Sequence, residues 1–226
     1  MLITDYLKFN AKKYPNSEAI VYIDENEKRL CMSWKEFDVM SNQVANFLIS
    51  KGITKGDKVA ILLHNLIVWL PIYFGIIKSG AVAVLLNYNH SIDELEYCVE
   101  HADCKGVFVS RKDKSYLSLL QKDLWLCAFD DIAEFHKLLN NYSITFKINT
   151  LSSDDVAAIY FSSGTTGRSK AILISHSALT SAAQMEFSHH NQCFDDRFLC
   201  LSPLYHTGAK IHWFGSLVVG GSLVLY

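Results

Sequence analysis

Residues Tyr160 to Lys170 read YFSSGTTGRSK and gather four hydroxyl side chains around two glycines. Ser162, Ser163, Thr165 and Thr166 supply the hydroxyls, Gly164 and Gly167 the turns, and Arg168 and Lys170 positive charge. Glycines let a backbone turn tightly and bring its N–H groups close to a ligand. Donors and cations on such a turn suit a polyphosphate. An ordinary Ser/Thr/Gly-rich surface loop is the competing reading of the same composition. The spacing approaches the phosphate loop G-x-x-x-x-G-K-[ST] but departs from it. The second glycine falls early, two residues separate it from Lys170, and Ala171 stands where a hydroxyl should hold magnesium.

A second group lies at Leu201–Ala209, LSPLYHTGA, where Pro203 and Gly208 bracket Tyr205 and His206. It follows RFLCLS, a run that reads as a strand. In open α/β sheets the ligand crevice lies at the carboxyl ends of strands, so an aromatic–imidazole pair there can line a pocket. A histidine satisfied within a structural loop is the alternative. His189 and His190 are adjacent, point about 100° apart on a helix, and make a poor metal pair. His176 falls where a strand gives way to a helix and reads as a near-terminal polar residue.

The first string resembles the phosphate-binding loop of the adenylate-forming superfamily, which includes acyl-CoA synthetases, luciferases and peptide-synthetase adenylation domains. That pattern is roughly [YF]-[ST]-S-G-[ST]-T-G-x-P-K-G. The chain matches it at Tyr160 or Phe161, Ser162, Ser163, Gly164, Thr165, Thr166, Gly167 and Lys170. It departs at Ser169, in place of proline, and at Ala171, in place of glycine, losing some loop rigidity but no phosphate donor. PLYHTGA is similar to the P-L-[FY]-H-x-x-G element of acyl- and aryl-CoA synthetases, whose histidine lines the carboxylate pocket. Amino-acid adenylation domains carry Phe-Asp there, so the resemblance implies an acid with an uncharged tail, fatty or aromatic. GDKVAILLHN, YFGIIKSGAVAVLLN and IDELEYCVEHADCKGVFV also look like early segments of acyl-CoA synthetases. His64 and Leu85 fall where that family usually has proline.

The resemblance implies a reaction in two halves. A carboxylate attacks the α-phosphate of Mg·ATP, releasing pyrophosphate and leaving an acyl-adenylate, and the thiol of coenzyme A then attacks the activated carbonyl. The carboxylate is itself the nucleophile, so the protein positions groups and stabilises charge. Ser162, Ser163, Gly164, Thr165, Thr166, Gly167 and Lys170 would hold the phosphates. Lys170 and Thr166 would be catalytic, and Tyr205, His206 and Gly208 would shape the acyl pocket. The family's Y-G-x-T-E stretch for adenine and Mg2+, its T-G-D aspartate for ribose and its C-terminal lysine domain have no counterpart in the 226 residues. No glutamate is assigned to magnesium. The expectation is an incomplete N-terminal domain, inactive alone. A non-catalytic phosphate- or nucleotide-binding remnant and a partner-dependent subunit completed by a second chain are the alternatives.

The elements that must position these groups are legible as well. VAAIYF reads as a buried strand entering the loop, and ILISHSALTSAAQMEF as a strand end running into a helix. Upstream, Leu2–Tyr14 has helical spacing stopped by Pro15, and Ala19–Ile23 and Leu30–Met32 read as strands joined by a charged turn. Ser33 with Glu36 opens a helix as a capping box, and Gly52 closes it. KVAILL and AVAVLL are buried strands around an apolar helix from Val68 to Lys78. Ser91 with Glu94 forms a second capping box, and GVFVS and LWLCAF follow as strands on either side of a mixed segment reaching Gln121. Continuous apolar strands alternating with helices predict an α/β fold with largely parallel sheets covered by helices. The polar stretch Lys137–Asp155 reads as a linker, which divides the chain into a first α/β subdomain, 1–140, and the start of a second, 141–226.

Half the residues are hydrophobic, 19% are charged and the net charge is −2, so a disordered chain and a basic nucleic-acid binder are both disfavoured. No apolar run reaches the ~18 residues of a membrane span. The N-terminus carries Asp5 and no apolar core of a signal peptide. Six scattered cysteines without a C-x-x-C pair read as core thiols of a reduced, cytoplasmic protein rather than a zinc site.

Overall fold

The computed structural model describes residues 1–24, 26–111, 124–147, 150–162 and 167–226. The expected mixed segment before Gln121 falls largely outside them.

The described chain begins with α1 (Ile3–Lys13), the hairpin β1 (Glu18–Ile23) and β2 (Arg29–Ser33), and α2 (Trp34–Ser50). Next come β3 (Lys58–Leu62), α3 (Trp69–Ser79), β4 (Val82–Leu85), α4 (Ile92–His101), β5 (Cys104–Ser110), β6 (Trp125–Phe129) and α5 (Ile132–Leu139). The remainder is β7 (Val156–Ser162), β8 (Lys170–Ser175), α6 (His176–His190), β9 (Arg197–Cys200), α7 (Thr207–Val219) and β10 (Ser222–Leu225).

These strands form two sheets, ordered β6-β5-β3-β4-β7-β8 and β2-β1-β10-β9. Pairing is parallel except at the β1–β2 and β7–β8 hairpins. From β3 the chain steps sideways to β4, then crosses back over β3 to β5. Right-handed crossovers in opposite directions place α3 and α4 on opposite faces. Burial follows that geometry. Val59, Ile61, Ala83 and Leu85 face the core shared with α3, whereas Ala60, Leu62, Val82 and Val84 face Leu95, Cys98 and Val99 of α4.

All eleven residues of α3 are buried, as expected of a helix that is largely apolar all round. Its one cation, Lys78, is satisfied from α2: Nζ reaches Asp38 Oδ1 at 2.6 Å, Ser41 Oγ at 2.6 Å and Asn42 Oδ1 at 2.9 Å. Burial lowers its pKa while Asp38 opposes the shift. Gly75 brings α3 close to α2, because a Cβ there would collide with Val44. No helix among the described residues is long and apolar enough to cross a membrane.

Several sequence expectations are revised. Both sheets draw strands from either side of residue 140: β7 and β8 complete the sheet of β3–β6, and β9 and β10 complete that of β1 and β2. The polar stretch after residue 137 begins inside a helix, α5, whose cap Asp131 accepts from the Glu134 N–H at 2.8 Å. Residues 139–145 are then strapped along α2, with Gln43 donating to the Leu139 carbonyl and Asn46 to those of Ser143 and Thr145. Strand β10 lies between β1 and β9. The Ser33–Glu36 capping box forms in both directions. The Ser91–Glu94 box forms in one only: Ser91 Oγ accepts from the Glu94 N–H, and the Glu94 carboxylate turns elsewhere.

Candidate functional site

The expected phosphate loop joins the two strands of a hairpin. Ser162, the last residue of β7, pairs with Lys170, the first of β8. A strand-to-helix phosphate loop would aim a helix N-terminus at its ligand. Here the chain instead returns as six residues of antiparallel strand before α6 begins. Ser163, Gly164, Thr165 and Thr166 lie outside the described residues. Gly167 is exposed with φ +123°, a conformation that side chains rarely adopt. Arg168 and Lys170 are exposed, whereas Ser169 is buried. Tyr160 faces the core, its phenol beside that of Tyr73, and burial raises its pKa well above the ordinary value. It anchors the strand as a neutral group.

Strand pairing fixes what lies next to this loop. Leu85 at the end of β4 pairs with Tyr160 of the parallel strand β7, so the segment leaving β4 emerges beside the segment leaving β7. That segment, with the first turns of α4, reaches the loop: Glu94 Oε1 accepts from the Ser169 N–H at 2.8 Å. The Arg168 guanidinium lies 4.7 Å from the Tyr97 ring centroid. Hydrogen bonds from the Ser169 side chain and backbone hold the Glu94 carboxyl below its usual pKa, against the opposing effect of burial.

The same segment meets the second group. Tyr88 packs edge-on against Tyr205 at 5.1 Å, and Asn89 Nδ2 lies 3.5 Å from the Tyr205 hydroxyl. The His64 ring lies 3.9 Å from that of Tyr88, and the Tyr205 ring 4.4 Å from that of the exposed His206. His206 takes the N-cap position of α7, and Gly208 is exposed within its first turn. The loop carrying Tyr205 is held from β3's end by Asn65. Its Oδ1 accepts from the Leu204 N–H at 2.8 Å and its Nδ2 donates to the Ser202 carbonyl at 3.2 Å.

Residues 88–97 thus touch both chemical groups, although sequence reasoning assigned them no part. The signal was available: NYNHS follows strand AVAVLL, and the strand-end rule that selected Tyr205–His206 applies equally there. Asn65 likewise follows the end of β3.

His90, Glu94 and Cys98 bring potential metal-ligating atoms within 4.8 Å of one another. Three features weigh against a metal. Glu94 is committed to Ser169, burial pushes the Cys98 thiol up to about 12, and the positive end of the α4 dipole disfavours a cation. Cys98, Cys104, Cys127 and Cys200 are buried, as core thiols should be, whereas Cys31 and Cys193 are exposed. His176 is the first residue of α6, near-terminal as expected, and at 1% exposed it is packed into the core.

A family model described as AMP-binding enzyme matches residues 7–226. The putative acyl-CoA ligase YdaB of Bacillus subtilis is 30% identical over 205 residues, covering 87% of this chain and 40% of that protein. Two solved structures are each 25% identical and align over the whole of this chain. The anthranilate CoA ligase AuaEII with anthranoyl-AMP gives a TM-score of 0.90, with 45% of it covered. The inhibitor-bound N-terminal domain of Mycobacterium tuberculosis FACL13 gives 0.88, with 57% covered. The chain spans about 40% of the length of YdaB. With a family model matching all but its first six residues, a parallel α/β frame and the loop's described flanks in register, the chain belongs to the AMP-binding enzyme family.

Proposed function

We propose that this chain supplies the pyrophosphate grip and part of the acyl pocket of an acyl-CoA ligase. The observation that carries the reading is convergence: residues 88–97 contact both the loop stem at Arg168–Ser169 and Tyr205. A polyphosphate held at one group would lie near a carboxylate held at the other.

In the proposed reaction a substrate carboxylate oxygen bonds to the α-phosphorus of ATP as the bond to pyrophosphate breaks. The coenzyme A thiol, losing its proton, then displaces AMP from the acyl carbon. Ser162, Ser163, Gly164, Thr165, Thr166 and Gly167 donate to the β- and γ-phosphates, and Lys170 neutralises charge on the departing pyrophosphate. Tyr205, His206 and Gly208 shape the acyl site. The absence of an acid at 205–206 favours a fatty or aromatic carboxylate over an amino acid. ATP binds as its magnesium complex, but we assign no residue of this chain to the ion. Leu173 on β8 and Leu199 on β9, 61% and 55% exposed on sheet edges, favour further polypeptide covering those edges. A cytoplasmic setting, inferred from six scattered cysteines without a C-x-x-C pair, belongs to the same proposal.

The test is calorimetry of the purified chain with magnesium pyrophosphate and Mg·ATP, alongside Lys170→Ala and Thr166→Ala. Binding that both substitutions weaken is expected, with little carboxylate-dependent pyrophosphate release from this chain alone. No binding by folded protein would refute the phosphate assignment. Robust turnover would show that these residues suffice for catalysis.

A further inference from the structure

We propose that Glu94 is a positioning residue for the phosphate loop, its carboxylate clamping the descending arm of that loop to helix α4. The inference rests on reading Ser162–Lys170 as the phosphate site, although the clamp itself can be measured without any ligand.

Two helices of this chain carry the same N-terminal signal, and they use it differently. At Ser33 the glutamate three residues on folds back, and Glu36 Oε2 accepts from the Ser33 N–H at 2.8 Å. At Ser91 the serine still caps its helix, but Glu94 gives up the return bond and accepts from the Ser169 N–H instead. A local partner has been exchanged for one 75 residues away. A carboxylate acceptor makes a hydrogen bond roughly twice as strong as a neutral one.

The position of this contact gives it leverage. The hairpin fixes the base at Ser162 and Lys170, but pairing alone does not hold residues 167–169 against α4. Ser169 is the residue just outside that base, and it is 5% exposed in an otherwise polar segment. Its N–H therefore needs an acceptor within the protein. The family pattern places proline here, which needs no acceptor and stiffens the backbone by itself. Serine supplies an N–H, and Glu94 captures it.

Tyr97 adds a second point of attachment. Positions three apart share a helix face, so Glu94 and Tyr97 present one surface to the loop. Ser169 sits on the carboxylate and Arg168 over the ring. The bonds to Ser169 favour the ionised carboxylate and lower the pKa of Glu94.

The experiment compares wild type, Glu94→Ala and Glu94→Gln by three readouts: amide hydrogen exchange at Ser169, tryptic cleavage after Arg168, and magnesium pyrophosphate affinity. In Glu94→Ala, exchange and cleavage should each accelerate about tenfold or more, and pyrophosphate affinity should fall about tenfold, as loss of one charge-assisted bond implies. The thermal midpoint should fall by only a few degrees, because the arm can open to water without unfolding the sheets. Glu94→Gln keeps an acceptor oxygen and should recover much of each effect. If Glu94→Ala does not fold, Glu94→Gln should still show faster Ser169 exchange, though less than tenfold. Unchanged exchange and cleavage in a folded variant overturn the clamp, whatever happens to affinity. Accelerated exchange in a protein whose wild type ignores pyrophosphate upholds the clamp and overturns the phosphate reading.

Discussion

Replacing Asn65 by alanine tests whether one carboxamide holds the loop that presents Tyr205 and His206. The side chain joins the end of β3 to the segment after β9 by two bonds, to the Leu204 N–H and the Ser202 carbonyl. Leu204 is 1% exposed, so its N–H has no ready access to solvent once the Asn65 acceptor is removed. Stranding a buried donor costs about 1–3 kcal/mol. Ser202 is exposed, so its carbonyl can rehydrate, adding roughly 0.5 kcal/mol. The expected loss is about 2 kcal/mol, or a fall of about 4–8 °C in melting temperature for a chain of this size. Urea unfolding followed by tryptophan fluorescence measures it, provided the m-value is unchanged. Asn65→Asp keeps the acceptor for Leu204 and loses the donor to Ser202, so its stability should lie between the other two. A loss below about 0.5 kcal/mol in Asn65→Ala, at the level of an ordinary surface substitution, would refute the reasoning.

Burial holds the His176 imidazole below its ordinary pKa of 6.5, against the pull of Asp155 and Asp5 and with the help of Lys55. The unfolded chain therefore takes up this proton first as pH falls. Stability from this group is complete above about pH 6.5 and declines below it, by at most about 1.4 kcal/mol per pH unit. Denaturation at pH 7.5 and 5.5 should show a smaller acid loss in His176→Gln than in wild type, and equal losses would count against the assignment. Gly167→Ala meets no neighbouring atom, so its effect should come only from forcing alanine to φ +123°. About 1–3 kcal/mol of strain should appear as weaker pyrophosphate binding with little change in global unfolding; unaltered binding would show that the loop tolerates another conformation. Of the six cysteines, Cys31 and Cys193 should react quickly with a thiol reagent at pH 8. Cys98, Cys104 and Cys127, whose thiols burial pushes up to about 12, should react only on unfolding. Mass spectrometry after brief labelling reads the sites directly.

Local signals were legible wherever neighbouring residues decide the conformation. Ser33 and Gly52 bracket α2 as the sequence indicates, and the apolar helix α3 ends at Gly80, whose φ is +88°. Helix α5 was overlooked because its polar surroundings suggested a linker, yet Asp131 and Glu134 carried a readable start signal. What local pattern could not supply was adjacency. No periodicity states that β7 pairs with β4, and that pairing brings residues 88–97 to the loop. Glu94 illustrates the difficulty most clearly. Its spacing from Ser91 satisfies the capping-box rule in full, and only the distant Ser169 N–H diverts its side chain. The two motifs were found because their chemistry is written in contiguous residues. Asn65, Tyr88 and Glu94, which hold them in place, act across the fold.

Strand β10 between β1 and β9 sets the timing of folding. The N-terminal hairpin is synthesised early, but the open side of β1 pairs with residues 223–225, through Ile20 with Leu223 and Tyr22 with Leu225. At ribosomal rates of ~5–20 residues per second, β1 waits roughly 10–40 s for its partner. Throughout that interval its backbone offers a bare template to any passing strand. Contacts this remote in sequence also slow the final docking step. Nascent chains should therefore engage holding chaperones through the first hairpin and release them only after β10 has emerged.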